Sequence, residues 1–249
     1  MTDCGTHNRE IHENALLWER KPLLRRIYRH LFSLIAEQLP HDLRGSIVEI
    51  GSGIGKIKEV IPQCVTTDLF PNPGIDRVEN IYRLSFPNES VAAFLFLDVF
   101  HHLTHPGNAL AECRRALLPG GRIIVLEPAI SLLGSFVYGC MHHEPIAWHQ
   151  PIAWWAPPNT NLVELPYYAA QGNASRIFWR GKCPKEWLTD WQIVHCIPLT
   201  LLSYILTGGF RGPTLAPTWS YDALRMLDRF CQRFPSIFAT RLLVVLEKR

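Results

Sequence analysis

The sequence lacks an apolar run long enough to cross a membrane. Its longest apolar stretches, residues 129–141 and 197–206, are interrupted by Gly, Ser or Thr. Both are shorter than the roughly 20 residues of a transmembrane helix. Residues 1–9 are polar, so we expect no apolar signal segment either. A transmembrane protein is therefore not expected.

Charge of one sign is also scarce. Over 249 residues the formal net charge is +3, and no run of five like charges occurs. Nucleic-acid-binding domains concentrate basic residues in a patch or stripe, and this chain has no such concentration. We therefore expect no nucleic-acid partner.

The cysteines show neither the density nor the spacing of a disulfide or zinc framework. The chain has seven of them and no Cys-x-x-Cys pair. An odd number of scattered cysteines is typical of reduced thiols. We therefore expect a cytoplasmic protein.

What the chain does contain is apolar sequence, 47% of its residues, in short runs that alternate with helical segments from residue 46 onward. This alternation predicts βαβ units and a largely parallel sheet with helices on both faces. We predict strands at residues 46–50, 64–67, 77–81, 92–97, 122–126, 192–197 and 241–247. We predict helices at residues 13–38, 56–61, 108–118 and 221–234.

The predicted elements form a single α/β domain over residues 1–249. We divide it into an N-terminal helical segment (12–39), a cofactor-binding half (46–127), an insertion (128–190) and C-terminal strands with a helix (191–249). The insertion holds five of the eight tryptophans, and long insertions often form lids over a site. Its tryptophans either line a binding wall or pack the insertion onto the sheet. The basic amphipathic N-terminal segment either packs on the core or lies on a membrane surface.

A glycine turn directly follows the first predicted strand. Gly51, Gly53 and Gly55 allow a sharp turn and the close approach of a ligand to the backbone. Asp68 lies at the end of the second predicted strand, where a carboxylate can accept hydrogen bonds from both ribose hydroxyls of an adenosine ligand. Glu49 adds a carboxylate where the ammonium group of a cofactor would lie.

The type of cofactor follows from charge and spacing. A nicotinamide or flavin cofactor brings a pyrophosphate and favours Gly-x-Gly-x-x-Gly. Here the third glycine comes one residue early, and Glu49 would repel a phosphate. S-adenosylmethionine has no phosphate and carries two cationic groups, so it suits an acidic pocket with glycines better.

Four motifs occur in order across residues 46–127 and resemble those of the class I S-adenosylmethionine-dependent methyltransferases, the methyltransferase-11-like group in particular. They are Val-Glu-Ile-Gly-Ser-Gly-Ile-Gly at 48–55, Leu-Ser-Phe-Pro-Asn-Glu-Ser at 84–90, Leu-Asp-Val-Phe-His-His-Leu at 97–103 and Arg-Ala-Leu-Leu-Pro-Gly-Gly-Arg at 115–122. Two positions depart from the family pattern. Asn80 replaces an aspartate that contacts adenine, and Ala92 replaces an aspartate at the start of strand four.

The resemblance implies a Rossmann-like, doubly wound sheet of seven strands in the order 3-2-1-4-5-7-6, with the last strand antiparallel. It also implies an enzyme with S-adenosylmethionine as cofactor. The cofactor-binding residues expected in this sequence are Glu49, Gly51, Ser52, Gly53, Gly55, Asp68, Leu69, Asn80 and Leu97.

The candidate catalytic residues are histidines. His101 and His102 follow strand four, where the family begins a helix that faces the substrate, and His143 belongs to a His-His-Glu run in the insertion. Each could take a proton from a methyl acceptor or serve only to pack the fold. Neighbouring residues in a His-His-Glu run point in different directions, and no further ligand has diagnostic spacing. We therefore predict no metal site.

We expect methyl transfer to an O or N atom of a small-molecule or carrier-linked acceptor. The layout of residues 130–178 resembles methyltransferases encoded beside surface-polysaccharide glycosyltransferases, which implies a glycoconjugate or a secondary metabolite. The alternatives are an NAD(P)-dependent oxidoreductase and a methyltransferase-like protein that is non-catalytic or uses the cofactor for other chemistry. Peripheral membrane contact and a homodimer are further expectations.

Overall fold

The seven strands form one sheet in the order β3-β2-β1-β4-β5-β7-β6. The computed structural model describes residues 4–249. Strands β1 to β5 pair in parallel, and β7 is antiparallel to β5 and β6. The predicted strand order and the antiparallel last strand are therefore confirmed. The strands are β1 (Ser46–Ile50), β2 (Val65–Asp68), β3 (Arg77–Val78), β4 (Val91–Leu97), β5 (Leu117–Pro128), β6 (Trp191–Leu199) and β7 (Arg241–Lys248).

Helices cover both faces of the sheet. They are α1 (Cys4–Arg20), α2 (Pro22–Ala36), α3 (Pro106–Ala116), α4 (Leu132–Phe136), α5 (Leu202–Leu206), α6 (Tyr221–Cys231) and α7 (Pro235–Phe238). Among residues 4–249, no helix has the length and hydrophobicity needed to cross a membrane.

The N-terminal segment is two helices, and the prediction of one helix over residues 13–38 was wrong. The break falls at Lys21, which has φ −114° and ψ 77° and directly precedes Pro22. A residue before proline avoids the helical region because of a clash with the proline ring, and proline is well suited to the first turn of the next helix.

The helix predicted at residues 56–61 is a single 3₁₀ turn, Lys56–Glu59. Gly55 precedes this turn with φ +66°, and Pro62 follows two residues after the amide of Val60 closes it. The left-handed glycine starts the turn and the proline disfavours a helical conformation at the residue before it, so a long helix cannot form between them. The glycine turn therefore leads into a loop rather than into a long helix.

Two predicted strands have different lengths in the structure. Strand β3 ends at Val78 because the side chain of Asn80 accepts the Tyr82 amide and turns the chain. Strand β5 begins at Leu117, before the turn predicted at residues 119–121, and its pairing with β4 shifts register there. Gly120 has φ +72° at that irregularity.

The core has two layers, one on each face of the sheet. Phe94 and Phe96 of β4 pack on the face that carries α3 and part of the insertion. Leu95, the residue between them, packs on the face that carries α1 and α2. Because both faces are covered, β4 is apolar throughout, and polar side chains are displaced to the ends of the strands.

The insertion has little regular structure. Apart from α4 it contains short turns, among them Val137–Met141, Leu162–Glu164, Ser175–Trp179 and Lys185–Leu188. Trp154 is buried and stacks on Trp187 with ring centroids 4.6 Å apart. A Cβ on Gly107 of α3 would lie 2.6 Å from the Trp154 ring. Trp154 therefore packs the insertion onto α3.

Lys21 ties the two N-terminal helices to the C-terminal region. Its ammonium group is 2.6 Å from the carbonyl of Gly209, 2.5 Å from that of Gly212 and 3.3 Å from that of Thr207. The side chain is almost fully buried. One buried charge thus satisfies three backbone acceptors across more than 180 residues of sequence.

We expect the substitution Lys21→Met to lower the free energy of unfolding by about 2 kcal/mol, because it leaves these carbonyls without their donor. Exposed Lys185 offers the matched control Lys185→Met, which should change stability by less than about 0.5 kcal/mol. Urea unfolding of both variants measures the difference. Equal stabilities would show that water replaces the ammonium group without cost.

Candidate functional site

The glycine turn has the backbone conformation that the sequence predicts. Gly51, Gly53 and Gly55 have φ values of +66°, +54° and +66°. A Cβ on Gly51 would lie 2.6 Å from the side chain of Val99, and one on Gly55 would lie 1.8 Å from the carbonyl oxygen of Gly74. Only glycine fits at these two positions, on both conformational and steric grounds.

Hydrogen bonds hold the turn against the end of β2. The amide of Ser52 donates to the carbonyl of Thr67 at 2.8 Å, and the Thr67 amide donates to Oγ of Ser52 at 3.0 Å. The amide of Gly53 donates to Oδ2 of Asp68 at 3.0 Å. The turn and the acidic residue predicted to bind ribose are thereby held together at the carboxyl ends of β1 and β2.

Glu49 is a buried carboxylic acid beside the turn. Its Oε2 atom is inaccessible to solvent and has no hydrogen-bond partner among the described residues. Burial raises the pKa of Glu49 to about 8, and the nearby Asp68 charge adds to the rise against a hydrogen bond from Ser52. An unpartnered buried carboxyl is costly unless a donor or cation reaches it. The ammonium group of S-adenosylmethionine is such a cation, so these residues fit this cofactor.

Helix α1 covers Asp68. His7 Nε2 lies 3.4 Å from Oδ1 of Asp68, and this contact raises the pKa of His7 above its usual value. The His7 ring also packs on Phe70, with centroids 5.2 Å apart. Ile11 of the same helix lies 3.5 Å from the position of a Cβ on Gly53. The first helix thus forms one wall of the candidate cofactor site, which sequence reasoning missed.

The remaining predicted cofactor residues have different surroundings. Leu69 is half exposed, and its amide donates to Oδ1 of Asp68 at 2.7 Å. Asn80 donates to the carbonyl of Val163 in the insertion at 3.2 Å. Leu97 ends β4 and packs with the apolar layer beneath α1 and α2. Leu69 therefore touches the Asp68 carboxylate, whereas Asn80 connects β3 to the insertion.

A second cluster lies at the ends of β4 and β5. His101 Nδ1 donates to Oε2 of Glu127 at 2.6 Å, and the amide of Phe100 donates to Oε1 of Glu127 at 2.5 Å. On its other side, His101 Nε2 lies 3.4 Å from Oε2 of Glu144 in the insertion. His101 and Glu127 are buried. One imidazole thus bridges two carboxylates, one from the sheet and one from the insertion.

His102 approaches the same carboxylate of Glu144. Its Nδ1 donates to the carbonyl of Tyr168 at 2.9 Å, and its Nε2 lies 3.7 Å from Oε1 of Glu144. Tyr167 and Gln171 also donate hydrogen bonds to the two oxygens of Glu144. The ligand atoms of His101, His102 and Glu144 all lie within 4.8 Å of one another, so these residues could hold a metal ion.

The pKa values of this cluster follow from burial and charge. Burial alone would lower the pKa of His101, but Glu127 and Glu144 outweigh it and raise the pKa to about 10. Burial would raise the pKa of Glu144, but hydrogen bonds from His101 and Tyr167 hold it well below its usual value. Burial and the charge of His101 lower the pKa of His102. At neutral pH His101 is therefore charged and His102 neutral.

The structure brings the three candidate catalytic histidines to one place. His143 Nε2 lies 3.8 Å from Oε1 of Glu144 and is half exposed. Glu127, Tyr167 and Gln171 belong to the same cluster, and sequence reasoning missed all three. Glu127 could have been found, since it follows a buried strand at the edge where Glu49 and Asp68 were expected.

The glycine turn and the histidine cluster share the carboxyl edge of the sheet. Val99 faces Gly51 on one side, and the next residue, Phe100, donates to Glu127 on the other. The segment that follows β4 therefore lies between the glycine turn and the histidine cluster, and its consecutive residues contact both. In open α/β sheets this edge is where ligands bind.

Comparison with known proteins finds similar methyltransferases. A family model described as a methyltransferase domain matches residues 48–125. A structure of geranyl diphosphate methyltransferase in complex with S-adenosylmethionine is similar, with a TM-score of 0.51, 15% identity and coverage of 99% of this chain and 92% of that one. A structure of the Haloferax volcanii Trm112 methyltransferase activator in complex with a methyltransferase is also similar. Its TM-score is 0.51, with 15% identity and coverage of 94% of both chains. No curated protein sequence matches the chain.

At this level of identity the solved structures are alike in fold. They and the strand order show a Rossmann-like methyltransferase fold, and the family model covers residues 48–125 of it. The predicted enzyme class and the predicted cofactor, S-adenosylmethionine, are confirmed.

The raised pKa of Glu49 makes stability depend on pH. Without ligand the folded state keeps a proton that the unfolded chain releases near pH 4.5, so stability is lost as the pH rises towards 8. We expect Glu49→Gln to remove this loss and to raise Tm at pH 8 by about 3 °C or more, with a smaller gain at pH 5. Thermal scans of ligand-free protein test this, with exposed Glu186→Gln as the control. A gain independent of pH would contradict the assignment.

Proposed function

We propose that this protein transfers the methyl group of S-adenosylmethionine to an O or N atom of a small-molecule or carrier-linked acceptor. The observation that carries the proposal is the buried, unpartnered Oε2 of Glu49 beside a turn that admits only glycine at Gly51 and Gly55. This arrangement offers an anionic partner for the ammonium group of a ligand, beside a sharply turned backbone. It offers no compensation for a pyrophosphate.

The roles of the cofactor residues follow from their positions. Glu49 binds the ammonium group and becomes ionised when it does so, because the cation compensates for burial. Asp68 accepts hydrogen bonds from the ribose hydroxyls after His7 leaves its Oδ1 atom. The turn at residues 51–55 supports the ligand between these two carboxylates. Asn80 borders this site where the end of β3 meets the insertion, and Leu97 supports it from the apolar layer beneath α1 and α2.

The acceptor is placed by the insertion. Methyl transfer is an in-line displacement at an activated carbon, so positioning supplies much of the rate. An acceptor hydroxyl or amine must also lose a proton. His101 is buried and keeps its own proton between two carboxylates, so it orients Glu144. His102 and His143 face Glu144 from the more exposed side and are the groups that take the proton.

The substrate class is the finest part of the proposal. We infer a glycoconjugate or a secondary metabolite, because the resemblance of residues 130–178 extends over the segment that supplies His143, Glu144 and Gln171. We also place the reaction in the cytoplasm. The seven cysteines are all free thiols, which suits a reducing compartment.

We expect S-adenosylmethionine to bind in a calorimetric titration and Asp68→Ala to weaken binding at least tenfold, since a charged partner of two hydroxyls is lost. Exposed Asp42→Ala is the matched control and should bind as the wild type does. Glu49→Gln should also weaken binding, although it stabilises the ligand-free protein. Quenching of NADH fluorescence without binding of S-adenosylmethionine would instead support an oxidoreductase.

The same protein is then incubated with labelled cofactor and a panel of glycans, lipid-linked sugars and phenolic or amine metabolites. On an acceptor that is methylated, His102→Ala should lower kcat by about 100-fold, which is typical of a lost general base. The affinity for S-adenosylmethionine should be unchanged. Cofactor binding without methyl transfer to any member of the panel would favour a non-catalytic role or other chemistry on the cofactor.

We further propose that the protein contacts a membrane surface through the outer face of α6. Trp219, Met226, Phe230 and Phe234 are 84%, 69%, 59% and 51% exposed, which is unusual for a group of large apolar side chains in water. Met226 and Phe230 lie four residues apart in α6 and therefore share one face, and Trp219 and Phe234 lie just before and just after the helix. The neighbouring Arg233 stacks over Phe230 and would attract an anionic lipid.

We expect the protein to float with vesicles that contain anionic lipid and the double substitution Trp219→Ser, Phe230→Ser to abolish flotation. The control is Trp155→Ser, since Trp155 is an exposed tryptophan of the insertion. Light scattering after gel filtration should give the monomer mass of 28.5 kDa. A dimer that the double variant converts to a monomer would show that this face joins two copies of the chain.

A further inference from the structure

Four histidines surround one carboxylate in this structure. The distances to the oxygens of Glu144 are 3.4 Å from His101 Nε2, 3.7 Å from His102 Nε2, 3.8 Å from His142 Nδ1 and 3.8 Å from His143 Nε2. A single carboxylate needs one or two cationic or hydrogen-bonding partners, and here four imidazole nitrogens lie within 4 Å of its oxygens. The arrangement therefore calls for a reason beyond ion pairing.

The distances suggest that reason. A direct charged N–H···O hydrogen bond is about 2.7–2.9 Å long, and the contact of His101 with Glu127 at 2.6 Å is of this kind. The contacts of the four histidines with Glu144 are longer than this by half an ångström or more. Two ligand atoms on a tetrahedral ion, each about 2.0–2.2 Å from the metal, stand about 3.3 Å apart. The distances from the histidine nitrogens to the Glu144 oxygens are close to this distance between two ligand atoms of one metal ion.

The outer contacts of His101 and His102 are also those of metal ligands. Each donates its Nδ1–H, the first to Glu127 and the second to the carbonyl of Tyr168. A metal-binding histidine is usually held in this way by a carboxylate or a backbone carbonyl, which fixes the ring and leaves Nε2 free to coordinate. Both Nε2 atoms here are directed at Glu144.

The carboxylate of Glu144 has outer contacts as well. Tyr167 donates to one of its oxygens and Gln171 to the other. The amide of Gln171 also lies 3.4 Å from His101 Nε2, and its Oε1 is buried without a partner in the described part of the chain. A buried acceptor of this kind calls for a donor, such as a water molecule on a nearby ion.

We propose that His101 Nε2, His102 Nε2 and the carboxylate of Glu144 bind a divalent transition-metal ion, with His143 next to the site. Two imidazoles and a carboxylate suit zinc and its first-row neighbours rather than calcium or magnesium, which prefer oxygen ligands. His142 is not included because its Nδ1 already accepts the amide of Glu144.

Three protein ligands leave the ion with open coordination positions, as in catalytic rather than structural metal sites. An O or N atom of the acceptor could occupy one of them, a role that rests on the proposed function. His102 would then be a ligand, and His143 would remain as the group that takes the proton. The binding of the ion itself does not depend on methyl transfer.

The test uses the full chain without an affinity tag, dialysed first against a chelator. Zn²⁺ is titrated by calorimetry, and Co²⁺ is added separately to record its visible d–d absorption. We expect one equivalent of Zn²⁺ per chain and a Co²⁺ spectrum typical of four or five ligands. His102→Ala should weaken Zn²⁺ binding by more than tenfold, and Glu127→Gln should weaken it by about 10- to 100-fold through the outer contact.

Exposed His195 on β6 provides the matched control, and His195→Ala should bind Zn²⁺ as the wild type does. Affinity for S-adenosylmethionine is measured on every variant, since its site lies on β1 and β2 and reports folding separately. Absence of saturable Zn²⁺ binding, or equal binding by wild type and His102→Ala, would overturn the metal site. If the wild-type protein binds Zn²⁺ but not S-adenosylmethionine, the proposed function is overturned and the metal site is not.

Discussion

The contact between His101 and Glu127 connects the sheet with the insertion. Glu127 ends a strand that is buried on both faces, so its carboxylate needs partners where the strand stops. It obtains them from the Phe100 amide and from His101. His101 then presents its other nitrogen to Glu144, more than 40 residues further along the chain. One buried imidazole therefore joins the end of the sheet to the insertion, beside the packing of Trp154 on α3.

The cofactor side of the edge is built differently. There the backbone supplies the shape, through three left-handed glycines held by Ser52 and Asp68. Among the described residues, the Oε2 atom of the buried Glu49 has no hydrogen-bond partner. On the histidine side, charged side chains hold one another by hydrogen bonds, whereas the glycine side carries a buried carboxyl oxygen that needs a donor or a cation. This contrast separates the part of the site that receives a ligand from the part that holds charged side chains in place.

Much of the fold could be predicted because it follows from local pattern. Apolar runs between helical segments identified the seven strands, and Ser46–Ile50 agrees with its predicted bounds. Errors occurred where one proline or glycine overrides periodicity. Pro22 divides the N-terminal segment, and Gly55 with Pro62 reduces a predicted helix to one turn. The roles assigned to the site residues remain predictions, although the structure gathers most of them at one edge.

The sequence by itself determined the glycine turn and the two carboxylates at the ends of the first strands, because each depends on residues close together in the chain. The sheet order followed from the resemblance of its motifs to those of a known family. Only the tertiary structure decided that His101 and His102 meet Glu144, and that His7 covers Asp68. From the sequence, the His-His-Glu run at residues 142–144 had no recognisable metal ligand outside its own segment. The physical reason is that parallel strands bring their carboxyl ends to one edge whatever the length of chain between them, and sequence spacing does not record that distance.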